Sequence, residues 1–241
     1  MSMPNIAAQT LQRQILSGTY QPGEMLPSQR ELSESMGISR ASLREALSML
    51  EALGFIRSVP GKGTLVTPRR GGSMSDAVQD RDAEVIDSTD HMPEAPSAAD
   101  VAATFQMRFV MESAAAALAA RRISAHVTPR LWGIQARFED ALKTLDLVSA
   151  SHADLEFHQL IAELSGNAHF QQVIIDFESR ISHSLRVPFG DHEHERVWAP
   201  AAEHRAIAAA ISAGDADGAR LAMQTHLLNA AARFGVAFMQ P

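Results

Sequence analysis

Four residues in the C-terminal half have the types and spacing for metal chemistry. Asp154 and His158 stand four apart in a segment with helical patterning, so they project from one face about one turn apart. His204 and His226 fall on two further helical segments. One carboxylate oxygen and three imidazole nitrogens suit zinc, nickel, cobalt, manganese or iron, with positions left open for a ligand. A salt pair on a helix surface has the same Asp-x-x-x-His spacing, so spacing alone leaves both readings standing. A second polar set, Thr104, Arg108 and Glu112, forms a stripe on an otherwise apolar segment. Arg108 there either closes an internal ion pair with Glu112 or forks the carboxylate of a ligand through two parallel N–H bonds.

The N-terminal half offers cations. Arg40 and Arg44 are four apart at the start of one helical segment and share its face. The first turns of such a helix can enter a DNA major groove, where arginine donates two bonds to guanine. Arg30, on the preceding segment, and Lys62, at a hairpin tip, are placed for phosphates, which position a protein without specifying sequence. Pairing of these arginines with Glu34, Glu45 or Glu51 at a solvated surface is the alternative.

Composition separates the two chemistries along the chain. The 241 residues carry 21 Lys+Arg against 28 Asp+Glu, a formal charge of −7, which excludes a uniformly basic nucleic-acid coat. Residues 1–75 hold 8 basic and 5 acidic side chains, and the remainder 13 and 23, so the basic part is the one suited to a polyanion. All 10 histidines lie at or beyond His91. Cysteine is absent, which removes disulfides, thiolate metal sites and cysteine nucleophiles and agrees with a reducing compartment. The first ten residues lack the pattern of a secretory signal, and no apolar run approaches the roughly 20 residues of a membrane helix. A cytoplasmic protein with no membrane partner is expected.

Local signals then place the elements. A helix over about Ile6–Ser17 stops at Gly18. Ser28-Gln-Arg-Glu31 is a capping box opening a short second helix, and Gly37 supplies the left-handed turn after it. Ser39 caps a third helix, Arg40–Leu53, with Leu43, Ala46, Leu47 and Leu50 as its buried stripe. Strand-like Phe55–Val59 and Gly63–Thr67 flank the tip Pro60-Gly61-Lys62. The whole reads as a winged helix-turn-helix over residues 1–70. Residues 71–99 read as a Gly/Ser/Asp/Pro-rich linker with a short helical turn near Asp82–Ile86. From residue 100 to 241 helical segments follow at 100–122, 129–147, 152–165, 168–186, 193–213 and 215–238, with Ser151–Asp154 read as a second capping box. The fold class is mainly α: a winged helix-turn-helix plus an antiparallel bundle of six or seven helices. No phosphate-binding loop or nucleophile elbow is present, so no enzyme is expected.

Residues 26–66, LPSQRELSESMGISRASLREALSMLEALGFIRSVPGKGTLV, resemble the DNA-binding domain of GntR-type transcription regulators. Leu-Pro-Ser-x-Arg, Ser-Arg-x-x-Leu-Arg-Glu-Ala-Leu and the Gly-x-Gly wing carry the match. Arg108-x-x-x-Glu112, Asp154-Leu-Glu-Phe-His158, Ser165-Gly166-Asn167, Glu203-His204 and His226 make the second half resemble the FCD-type ligand-binding domain of the FadR subfamily. The resemblance implies that Arg30, Ser39, Arg40 and Arg44 face an operator, with Lys62, Gly63 and Thr64 at the wing tip. It implies that Asp154, His158, His204 and His226 hold a divalent transition metal, zinc foremost. It further implies a small carboxylate or sugar-acid effector, with Arg108, Asn167 and Arg186 toward it. A homodimeric repressor on an approximately palindromic double-stranded DNA operator follows as the expectation. A regulator for which the cation is itself the signal is one rival. The other is a metalloenzyme using Glu203 as base.

Overall fold

The computed structural model describes residues 2–67, 97–124, 126–176 and 194–239. The expected turn near Asp82–Ile86, together with His183, Arg186 and His192, lies outside them.

Three helices open the chain: α1 (Met3–Leu16), α2 (Gln29–Met36) and α3 (Arg40–Ala52). Each has a local cause. Pro4 sits in the first turn of α1, where a missing N–H is harmless, so the helix starts earlier than expected. The Ser28–Glu31 capping box forms in both directions, and Gly37 ends α2 at φ +64°. Ser39 Oγ accepts from Ser42 N to start α3. Strands β1 (Ile56–Val59) and β2 (Gly63–Val66) pair antiparallel in the register Ile56 to Val66 and Val59 to Gly63. Leu11, Leu43, Leu50 and Val66 meet in the core of this unit.

The second unit contains α4 (Ala98–Arg122), α5 (Thr128–Lys143), α6 (Leu147–Leu164), α7 (Ala168–Asp176), α8 (His194–Ser212) and α9 (Ala216–Arg233). Its core joins Phe109, Leu131, Phe157, Ile161, Ile207, Ile211 and Met223. Buried alanines of α4 and α9, including Ala116, Ala119 and Ala219, let those two helices approach closely. Helix α8 continues through Pro200.

The boundary before α6 also differs from the sequence expectation. Ser151–Asp154 is not a cap: it lies inside α6, which starts at Leu147 under Asp146, whose Oδ1 accepts from Ser149 N at 3.0 Å. Residues 144–146 make the break, with Leu145 at φ +54°. Its carbonyl accepts a 2.5 Å bond from Gln12 Nε2, and Val148 N donates to Gln12 Oε1 at 3.1 Å. Leu147 and Val148 then pack into the core of the winged-helix unit. The start of α6 is therefore set by α1, a partner 133 or more residues away in sequence, rather than by a local signal.

Candidate metal centre

Helix α6 presents Asp154 and His158 one turn apart, α8 presents His204, and α9 presents His226. The structure brings all four together inside the bundle. His158, His204 and His226 are buried at 1%, 0% and 2% exposure and Asp154 at 7%, values that withhold these polar groups from water. One ligand atom from each histidine lies within 4.8 Å of the others, and His204 Nε2 is 3.3 Å from Asp154 Oδ1. Nε2 of His158, both nitrogens of His204, Nε2 of His226 and Oδ2 of Asp154 have no hydrogen-bond partner. A buried polar atom without a partner costs on the order of 1–3 kcal/mol, and a cation is one group that could satisfy a cluster of them. A His₃Asp donor set fits a divalent first-row ion, with imidazole nitrogen excluding magnesium and calcium in preference.

The backs of two rings are held by carboxylates. His158 Nδ1 lies 2.5 Å from Glu112 Oε2, an ion-pair distance without full hydrogen-bond alignment. His226 Nδ1 lies 2.8 Å from Glu203 Oε2. Both arrangements place the proton on Nδ1 and direct the Nε2 lone pair inward, the second layer that metal-binding histidines need. Glu112 also accepts from Arg108 Nε at 2.6 Å, with Arg108 fully buried. Glu203 also accepts from both terminal nitrogens of Arg233 at 2.9 Å and from Asn229 Nδ2 at 2.9 Å.

Burial pushes the Glu112 carboxyl up, but Arg108 and His158 outweigh it and hold the group well below the usual carboxylate range. The same contest holds Glu203 at about 2, with bonds from His226 and Arg233 winning over burial. Burial lowers His204 well below its usual value, and neighbouring positive groups add to the effect. Burial also lowers His226, against the opposing bond to Glu203. Both imidazoles are thus kept neutral, the form that binds a metal. Phe157 stacks on the His204 ring at 4.3 Å and Phe138 flanks it at 5.0 Å, closing that side with apolar surface.

Sequence reasoning paired Glu203 with its neighbour His204, whereas the structure gives its carboxylate to His226. The signal was the spacing His226, Asn229, Arg233 on α9, a polar face that needed an anion opposite. Glu112 was found as the partner of Arg108, but not as that of His158. Asn167 stands nine residues beyond His158, at the start of α7, where its Oδ1 accepts from His169 N at 3.0 Å. Arg186 lies outside the described residues.

On the winged-helix unit, Arg30, Ser39, Arg40, Arg44, Lys62 and Gly63 are exposed and Thr64 half-buried. Arg30 is 3.8 Å from Glu34, a solvated pair worth little. Glu51 instead receives Ser58 N and Oγ at the base of the wing. Gly61 and Gly63 at the tip have φ of +68° and +115°, which side chains rarely adopt. Among the described residues, no helix is long and apolar enough to cross a membrane.

Comparison with known proteins covers both units. The FCD domain family matches residues 103–229, and the family described as bacterial regulatory proteins, gntR family, matches residues 5–66. A protein of Escherichia coli strain K12, named as an L-lactate dehydrogenase operon regulatory protein, is 33% identical over 213 residues, 85% of this chain and 76% of that one. The transcriptional regulator LutR of Bacillus subtilis strain 168 is 28% identical over 229 residues, 89% of this chain and 93% of its own. The Uxu operon regulator of Haemophilus influenzae is 31% identical over 228 residues, 92% and 77% respectively. The solved structure of Lar from Listeria monocytogenes superposes with a TM-score of 0.50 at 16% identity over 97% of this chain and 96% of that one, a likeness of fold alone. These are regulators and not enzymes. With a winged helix-turn-helix at one end and an FCD domain covering more than half its length, the chain belongs to the GntR family of DNA-binding bacterial transcription regulators.

Proposed function

We propose that this regulator is a homodimeric repressor whose operator affinity is set by a small carboxylate or sugar acid bound beside a divalent cation. The observation that carries the proposal is the convergence of His158, His204 and His226, with Asp154 Oδ1 3.3 Å from His204 Nε2 and the Nε2 atoms of His158 and His226 unpartnered. Zinc is the cation of first choice, since three imidazoles and one carboxylate match its usual donors. The name of the Escherichia coli relative refers to lactate, a small hydroxy acid, which supports the carboxylate class. Arg108, buried beside Glu112 at the same site, supplies a fixed guanidinium toward such an anion, with Asn167 and Arg186 as further members of the effector set.

On the DNA side, Arg40 and Arg44 read base edges from α3, with Ser39 at its start. Arg30, Lys62, Gly63 and Thr64 engage the backbone or minor groove beside them. Two copies place two such helices on a two-fold operator. The route between the two functions is α6, which carries two of the four ligands and whose first turn is held by Gln12 of α1. A ligand that fits one setting of α6 better than another shifts the winged-helix units with it, by the difference in its two affinities.

Thermal denaturation of zinc-loaded protein against a panel of small carboxylates and sugar acids, with and without chelator, tests this. A stereospecific rise in melting temperature that chelator abolishes is expected. No rise with any acid, beside a large rise with zinc alone, contradicts the effector assignment. That outcome would support the second reading, in which the cation is the signal. The contact between Arg108 and Glu112 favours that reading, because the guanidinium already has a carboxylate partner.

A further inference from the structure

Two of the three histidines have carboxylates behind them, and the third does not. His204 faces Asp154 with Nε2, and its Nδ1 is buried without a partner. A histidine that ligates through Nε2 carries its proton on Nδ1, and that N–H needs an acceptor. Outside the four ligands, the described residues hold one buried side-chain acceptor without a partner: Gln135 Oε1.

The location of Gln135 matches the need. It is 2% exposed, on α5, one turn before Phe138, whose ring is 5.0 Å from that of His204. Its Nε2 donates to the carbonyl of Ala201 at 3.0 Å, one turn before His204 on α8. The same Nε2 donates to Glu139 Oε1 at 2.8 Å. Turning the amide over would set its oxygen against two acceptors, so the amide orientation is fixed with Oε1 as the end in need of a donor. Glu139 is held in turn by a bidentate pair with Arg205, both bonds 2.6 Å, which keeps the amide from swinging away.

We infer that Gln135 is the positioning residue for His204: its Oε1 accepts from Nδ1–H, directly or across one water, and so presents Nε2 to the cation. The role rests on the metal reading given above. The bundle then backs its histidines unequally, two by anions and one by a neutral amide. An anionic partner raises the basicity of an imidazole more than an amide does. His204 is accordingly the ligand most easily released, and Gln135 sets how tightly the site holds its ion.

The experiment compares wild type, Gln135→Leu, Gln135→Met and His204→Ala in zinc competition titrations. ¹⁵N-edited NMR of the zinc-loaded samples reads the Nδ1–H of each ring. Gln135→Leu should weaken zinc by at least about 10-fold and shift or broaden the His204 Nδ1–H signal, leaving the His158 and His226 signals in place. Gln135→Met, which keeps the length and volume of the side chain but offers no comparable acceptor, should weaken zinc as Gln135→Leu does, which a packing role alone would not produce. If His204→Ala weakens zinc while Gln135→Leu matches wild type in affinity and in the His204 signal, the inference is overturned and the metal site stands. If His204→Ala also binds zinc as wild type does, the metal reading itself fails, and this inference with it. Should Gln135→Leu not fold, wild-type zinc affinity together with an unchanged His204 signal in Gln135→Met overturns the inference.

Discussion

Glu112 faces two partners at once, the Arg108 guanidinium at 2.6 Å and the His158 ring at 2.5 Å, in a part of the bundle closed to water. Glu112→Gln leaves Arg108 buried without its countercharge. A loss of about 3–5 kcal/mol in urea unfolding is expected, since breaking a buried pair from one side strands the other charge. Zinc affinity should fall about 10–100-fold in the same variant, because the His158 ring loses its backing. The other buried rings give a pH signature in metal-free protein. His204 and His226 have folded-state pKa values below the usual 6.5, chiefly through burial. Above pH 6.5 neither state gains a proton. Below it the unfolded chain takes up protons that the folded one refuses, so stability falls as pH falls. Glu112 and Glu203 are lowered too, but their effect enters only below the ordinary carboxylate range. Melting temperatures of chelated protein should therefore drop between pH 7 and pH 5.5, and a flat profile there would show that the rings are not held neutral.

Helix α6 links the metal ligands to the winged-helix unit, and its first turn carries that link. Gln12, 1% exposed, fills both bonding roles across the junction, donating to Leu145 and accepting from Val148. Gln12→Ala should cost about 1–3 kcal/mol, as it strands a buried amide and a buried carbonyl. In the same variant DNA affinity should no longer respond to zinc, a separation that anisotropy titrations with and without chelator would detect. Leu145 holds a left-handed backbone that disfavours a branched side chain by about 1–2 kcal/mol. Leu145→Asn should thus raise stability by about 1 kcal/mol. Neither residue was legible in the sequence, and the reason is physical: the break at 144–146 has no Gly or Pro, and its Gln12 partner is remote in sequence. Ser28–Glu31, Gly37 and Ser39 were legible because caps and turns are satisfied within three or four residues. The four candidate ligands were visible by type and spacing, whereas the pairing of Glu203 with His226 joins two helices, and the polar face of His226, Asn229 and Arg233 marks the need for an anion without saying which one.

At the scale of the whole molecule an acidic chain carries a net positive charge only at its N-terminal end, where 8 basic side chains stand against 5 acidic ones, while the remainder holds 13 against 23. That arrangement suits a protein that grips DNA at one end and, on the function proposed above, holds a cation in its other unit. Arg44→Ala should reduce discrimination between operator and unrelated DNA about 10-fold or more, while Lys62→Ala weakens all sequences alike and lowers the salt slope by about 1. Both effects can be read from anisotropy titrations over a salt series on a selected operator. These tests address the DNA pole, and the account as a whole turns on the other one. The most direct measurement is a calorimetric titration of zinc into chelator-stripped protein, wild type beside Asp154→Ala and His226→Ala. One ion per chain is expected in the wild type, with markedly weaker or absent binding in both variants. Equal stoichiometry and affinity in all three proteins, or no binding in the wild type, would contradict it.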